Sequence, residues 1–173
     1  MNYLNEFYIP FKGLNIGVHN YRWEISHKFF ETIDNSEIDD AAIEVELDLE
    51  KQERMMICNF KITGSVFVKC DRCLDKLELL VNKEDTLYIK FGAESGGDAD
   101  DVIIIGDTEY QIDVSNLINE FITLSLPLKK VHPSDKKEGD GCNKEIINKL
   151  EELSGNNNVD PRWEKLKNLK LDK

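Results

Sequence analysis

The chain has 173 residues, enough for one buried core, and 40% of them are hydrophobic while 32% are charged. A formal net charge of −12 argues against a protein that coats nucleic acid or an anionic membrane without specificity. The longest aliphatic run, Val102-Ile103-Ile104-Ile105, is far short of the roughly 20 apolar residues of a membrane span, and MNYLNEFYIPFKG does not read as a secretory signal.

The charge is uneven. Residues 31–128 carry 23 acidic and 8 basic side chains, residues 1–30 carry 2 and 3, and residues 129–173 carry 9 and 11. Contact with RNA is therefore expected from the ends of the chain rather than from its middle. Four cysteines in a chain not expected to be secreted read as reduced thiols or metal ligands before disulfides, so a cytoplasmic protein is expected.

In residues 1–30, Pro10, Gly13 and Gly17 interrupt a mixed pattern, and Tyr21, Trp23 and Phe29 suit short edge strands. Residues 33–40, IDNSEIDD, read as an acidic loop. The clearest element follows: Ile43, Val45, Leu47 and Leu49 alternate with Glu44, Glu46, Asp48 and Glu50, a strand with one buried and one acidic face. Lys51 to Arg54 make a turn into a second strand. There Met56, Cys58, Phe60, Ile62, Val66 and Val68 share one parity, and Gly64 marks a bend or bulge. The two strands predict an antiparallel hairpin. A returning segment, LDKLELLVNKEDTLYIKF, alternates clearly at Leu87, Ile89 and Phe91.

After the glycine- and acid-rich GAESGGDADD, Val102–Ile105 predicts a short strand, and Glu109–Ile112 its return partner across a Gly106-Asp107 turn. The period then changes. Asp113 can cap a helix in which Val114, Leu117, Ile118, Phe121 and Leu124 recur at helical spacing, until Pro127 stops it. Residues 129–142 form a polar loop, about Asn143 to Leu153 a short helix, and SGNNN a linker. In DPRWEKLKNLK, Asp160 is placed as N-cap, Pro161 at the first helical position, and Trp163, Leu166 and Leu169 on one face. The expected fold is α+β: a mostly antiparallel sheet of about five to seven strands, a central helix and C-terminal helices. Residues 1–142 would be the core domain and 143–173 a helical extension packed on it.

Cys58 shares parity with the core positions of its strand and reads as a buried small hydrophobe. Cys70 and Cys73 stand where a strand meets a turn. Two intervening residues let a tight turn aim both sulfurs at one tetrahedral ion about 2.3 Å away. Such a site needs two more ligands, and His132 and Cys142 lie together in the polar loop after Pro127. Three readings stay open for the C-x-x-C: a structural zinc site of Cys70, Cys73, His132 and Cys142, free thiols in a tight turn, or a thiol oxidoreductase. A redox pair belongs at a helix N-terminus after a parallel strand, and Asp71 opposes thiolate formation here even as Arg72 favours it, so the downstream ligands favour the metal. His19 and His27 read as solvated. The chain carries no G-x-S-x-G, P-loop or H-E-x-x-H, and no enzyme or small-molecule substrate is expected.

Three segments together, VKCDRCL at 68–74, ITLSLPLKKVHPSDKKEGDGC at 122–142 and DPRWEKLKNL at 160–169, resemble the YceD family of large-subunit ribosomal RNA accumulation proteins. The resemblance spans roughly residues 10–170. It implies a non-enzymatic, cytoplasmic or organellar accessory factor in the accumulation of 23S ribosomal RNA. The motif positions carried over are Cys70, Arg72, Cys73, Leu126, Pro127, His132, Cys142, Asp160, Pro161 and Arg162. Many relatives hold a fuller C-x-x-C-type cluster in the second cysteine region, where this chain has His132 and Cys142. Partners would be ribosomal RNA or basic ribosomal and assembly proteins. The acidic face of residues 44–50 suits a basic protein first. Arg72, with Arg162, Lys165, Lys167 and Lys170, is the candidate set for RNA or partner contact.

Overall fold

Alternating apolar residues build the central sheet of the computed structural model, which describes residues 3–33, 36–92, 102–106, 108–135 and 139–154. In chain order the strands are β1 (Tyr8–Ile9), β2 (Gly17–Ile25), β3 (Ile38–Lys51), β4 (Met55–Lys69), β5 (Lys76–Phe91), β6 (Val102–Ile105) and β7 (Ile112–Asp113). Two short ones follow, β8 (Ser134–Asp135) and β9 (Gly139–Asp140). The helices are α1 (His27–Glu31), α2 (Ser115–Ser125) and α3 (Lys144–Ser154). The main sheet has the order β2-β3-β4-β5-β6, antiparallel except where β6 runs parallel to β5. This is the expected α+β architecture.

The β3–β4 hairpin holds one register from Ala41↔Val66 to Lys51↔Met56, so every odd residue of β3 from Ala41 to Leu49 faces the core. The irregularity lies between Ile38 and Asp40, not at Gly64. There the extra residue resets the parity, and Ile38 and Ala41 both turn inward. Gly64 serves a different purpose. Its φ is +147°, and a Cβ on it would stand 2.2 Å from the Ala42 carbonyl oxygen, so β3 and β4 approach too closely there for any side chain.

β5 is much longer than its terminal alternation announces. Lys83 and Asp85 occupy the same face as Val81 and Leu87, breaking the apolar pattern, and they satisfy each other in an ion pair of 3.2 Å. The expected return strand at Glu109–Ile112 does not form. β6 lies parallel to β5, which a tight connection cannot produce, and Ile112–Asp113 pairs instead with Tyr8–Ile9. Phe29 lies on α1 rather than on a strand, buried against Phe7 and Phe30.

The inner sheet face is covered by the N-terminal segment, α1 and α2. Phe7 stacks on Trp23, whose indole N–H donates to the Glu6 carbonyl at 3.0 Å. Lys51 ties this segment to the end of β3 by donating to the carbonyls of Phe11 and Leu14, each at 2.7 Å. Asp113 Oδ1 accepts from the Ser115 amide at 2.8 Å and from its hydroxyl at 2.6 Å, which starts α2. Val114, Ile118 and Ile122 are buried, and Phe121 meets Phe60 edge-on. Leu124, expected on the core face, is 70% exposed, because Ile122 takes the inner position one turn from the helix end. No helix among the described residues is long and apolar enough to cross a membrane.

Candidate metal centre

The turn between β4 and β5 carries the first half of the centre. The Cys70 amide donates to the Asp75 carbonyl at 2.9 Å and the Leu74 amide to the Cys70 carbonyl at 2.9 Å, which closes the turn. Leu74 has φ +63°, an uncommon left-handed conformation for a leucine and the point where the chain reverses. This folds Cys70 and Cys73 inward, both fully buried, while Arg72 between them is exposed.

The second half arrives from the end of α2. Pro127 follows the helix stop, and the chain then docks on the turn through a reciprocal pair of bonds. The Asp71 amide donates to the Lys130 carbonyl at 2.7 Å, and the Asp71 carboxylate accepts from the Lys130 amide at 2.6 Å. Lys130 Nζ in turn pairs with Glu37. Asp71 therefore acts as a clamp for the incoming loop, a role its sequence position between two cysteines does not reveal. Two residues on, His132 reaches the thiols. Cys142 follows β9 by two residues and stands one residue before Asn143, whose side-chain oxygen accepts from the Glu145 amide at 3.0 Å and caps α3. A Cβ at Gly141 would meet His132 Cβ and the Pro133 carbonyl oxygen at 3.2 Å, so glycine lets the chain pass beside the imidazole.

All four ligand atoms, from Cys70, Cys73, His132 and Cys142, lie within 4.8 Å of one another. Cys70 Sγ and Cys142 Sγ are 3.8 Å apart, and His132 Nδ1 is 3.5 Å from Cys73 Sγ and 3.7 Å from Cys142 Sγ. With bond lengths of about 2.3 Å to sulfur and 2.05 Å to nitrogen, the edges of a tetrahedral site are about 3.8 Å between sulfurs and about 3.6 Å from sulfur to nitrogen. These three spacings match edges of that polyhedron, and the remaining donor pairs lie within 4.8 Å. His132 Nε2 lies 3.1 Å from the Lys76 carbonyl oxygen, so the ring proton is taken up there and Nδ1 is left with a free lone pair. The cluster can hold a metal ion.

Electrostatics agree with thiolate at one corner. Burial pushes the Cys70 thiol up, but backbone N–H groups of Cys73, Arg72 and His132, with the Cys73 side chain, outweigh it and bring the pKa down to about 6. Burial and then the neighbouring Cys70 and Cys73 push Cys142 up to about 11, since a second negative charge beside the first is unfavourable without a cation. Cys58 is apart from this group on β4, buried, with its thiol pushed up to about 12.

The acidic residues of β3 do line the outer sheet face, but they are not a bare row of charge. Arg22 on β2 pairs with Glu44 and stands 3.9 Å from Glu46, and Asn20 donates to Asp48. Lys61 lies in register between Glu46 and Glu84. Arg162, Lys165, Lys167 and Lys170 lie outside the described residues, as does the DPRW segment.

Fold and site define a class: an α+β protein on a largely antiparallel sheet, with a Cys₃His cluster joining a strand turn to the segment that leads into α3. Within that class the chain belongs to the family of the large ribosomal RNA subunit accumulation protein YceD, whose family model matches residues 58–170. The match covers both halves of the cluster. No curated protein and no solved structure matches the chain.

Proposed function

We propose that the protein is a non-enzymatic accessory factor in the accumulation of large-subunit ribosomal RNA, a binding module organised by a structural zinc on Cys70, Cys73, His132 and Cys142. The observation that carries the zinc reading is the convergence of four soft donors from two distant loops within 4.8 Å of one another, with three spacings of 3.5–3.8 Å that match tetrahedral edges. Three thiolates and one imidazole suit zinc, and four protein ligands leave no open position for a substrate, which is the form of a structural site. When bound, the ion supplies a cross-link. The residues themselves do the rest: amides of Cys73, Arg72 and His132 hold the Cys70 sulfur, and Lys76 orients the imidazole.

The ribosomal role rests on family membership. The protein acts in the cytoplasm through a basic ribosomal or assembly protein that meets the acidic outer face of β3, with direct RNA contact through Arg72 and the basic C-terminal residues as the second route. Deletion of the gene should lower large-subunit relative to small-subunit ribosomal RNA; an unchanged ratio removes the functional reading. Native mass spectrometry should find about one zinc per chain, lost on Cys70→Ser or Cys142→Ser. A tagged pull-down scored for both RNA and protein separates the two routes.

A further inference from the structure

We propose that the Cys₃His cluster is an oxidant-sensitive latch, in which hydrogen peroxide joins Cys142 to Cys70 as a disulfide and the four-ligand site is lost. The inference rests on the zinc reading above and goes further, to how the site is switched off. Three observations carry it. The two sulfurs are 3.8 Å apart and belong to segments 72 residues distant in sequence. Neither cysteine lies within a regular element: Cys70 is the first residue after β4, and Cys142 precedes the α3 cap, so both backbones can close the remaining gap to a bond of about 2.05 Å. Accessibility then orders the steps. Cys142 keeps 5% exposure while Cys70 and Cys73 have none, so Cys142 is the sulfur a small oxidant reaches first. Cys70, whose sulfur stands 3.8 Å from that of Cys142, resolves the oxidised partner, while Cys73 Sγ keeps its contact with His132 Nδ1 at 3.5 Å.

The chemistry balances. A lone pair of the Cys142 thiolate attacks one peroxide oxygen, the O–O bond breaks, and the second oxygen leaves as hydroxide and takes a proton from water. Cys142 is now a sulfenic acid. The Cys70 thiolate attacks that sulfur, the S–O bond breaks, and a second hydroxide leaves and is protonated. Two thiolates lose two electrons in all, and one peroxide becomes two waters. Cys73 and His132 remain, too few donors for a closed structural site. The loop of residues 129–142 then loses its metal cross-link, while the start of α3 stays tied to the end of β4 by the new bond. A thiol reductant with zinc restores the starting state.

The test treats the zinc-loaded protein with hydrogen peroxide and follows zinc release with a chromogenic chelator, then maps the disulfide in a non-reducing digest. Expected are release of about one zinc per chain and a Cys70–Cys142 cross-linked peptide, lighter than its two parts by about 2 Da, both reversed by dithiothreitol with added zinc. Cys58→Ala should behave identically. Retained zinc, a Cys70–Cys73 disulfide, or sulfinic and sulfonic acids without a cross-link would each overturn the latch. The metal content of untreated protein judges the zinc reading separately. A zinc-loaded protein that forms no disulfide sinks the latch and leaves that reading standing, whereas a zinc-free protein sinks both.

Discussion

Removing the metal with a strong chelator at neutral pH is the perturbation that weighs the centre most directly. The ion would bridge Cys73 and His132, which are 59 residues apart, and so close a loop that the unfolded chain otherwise leaves open. Treated as a cross-link in the chain-entropy model, a loop of that length is worth about 4 kcal/mol at 25 °C. The shorter closure from His132 to Cys142 adds to this, and the Asp71–Lys130 clamp, which survives chelation, subtracts from it. For a chain of this size 1 kcal/mol moves the melting temperature by roughly 2–4 °C, so chelation should lower it by roughly 8–16 °C. Differential scanning fluorimetry with and without chelator reads the shift, and re-addition of zinc should restore it. A change below about 2 °C in protein shown to carry zinc would mean that the two loops are held by their own contacts and that the cross-link argument is wrong.

Other perturbations test separate parts of the structure. Gly64→Ala places a methyl group 2.2 Å from the Ala42 carbonyl oxygen at a φ of +147° and should cost roughly 3 kcal/mol or more, read as a lower urea midpoint; a cost below about 1 kcal/mol contradicts the close approach of β3 and β4. Asp71→Ala removes the carboxylate that receives the Lys130 amide and should weaken zinc binding by about tenfold in a chelator competition. Lys130→Ala keeps that amide and should have a smaller effect, so equal losses would refute the clamp. In the metal-free protein the Cys70 thiol is lowered from an ordinary 9.0 to about 6, so the folded state releases its proton first. That stabilisation is complete above about pH 9 and is lost as pH falls through 6, while above about 9 the raised thiols of Cys142 and Cys58 act in the opposite sense. Urea midpoints of metal-free protein should therefore rise between pH 6.5 and 8.5 by more than those of Cys70→Ala, and parallel rises would show that Cys70 contributes nothing.

Strand patterning was readable wherever one face is apolar without interruption. Residues 43–49 and 56–68 alternate cleanly because their inner face is buried along its whole length, and the hairpin follows. β5 was harder, since Lys83 and Asp85 sit on the inner face as an ion pair, and pairing of that kind leaves no mark in a hydropathy pattern. Val102–Ile105 was recognisable as a strand, but its parallel direction and the pairing of Ile112–Asp113 with Tyr8–Ile9 depend on contacts between distant segments. Leu124 carried the right spacing for the core and still points to solvent, because Ile122 takes the inner position in the last turn of α2 and Leu124, two residues on, falls on the opposite side.

The four donors that can hold a metal were identifiable as residue types: soft donors are few in this chain, and the C-x-x-C spacing together with the histidine and cysteine after Pro127 marks them as candidates. Their convergence was not. It depends on how far β4 runs before it turns, on where α2 stops, and on a backbone exchange between Asp71 and Lys130 that uses groups every residue possesses. The alternating core, the helix ends at Asp113 and Pro127, and the chemical identity of the donors can be read from residue order alone, because those are local properties of side chains. The sheet order, the close passage at Gly64 and Gly141, and the 3.5–3.8 Å spacings that make four scattered side chains one centre come from packing. Distances between segments some 60 residues apart follow from how the whole chain packs.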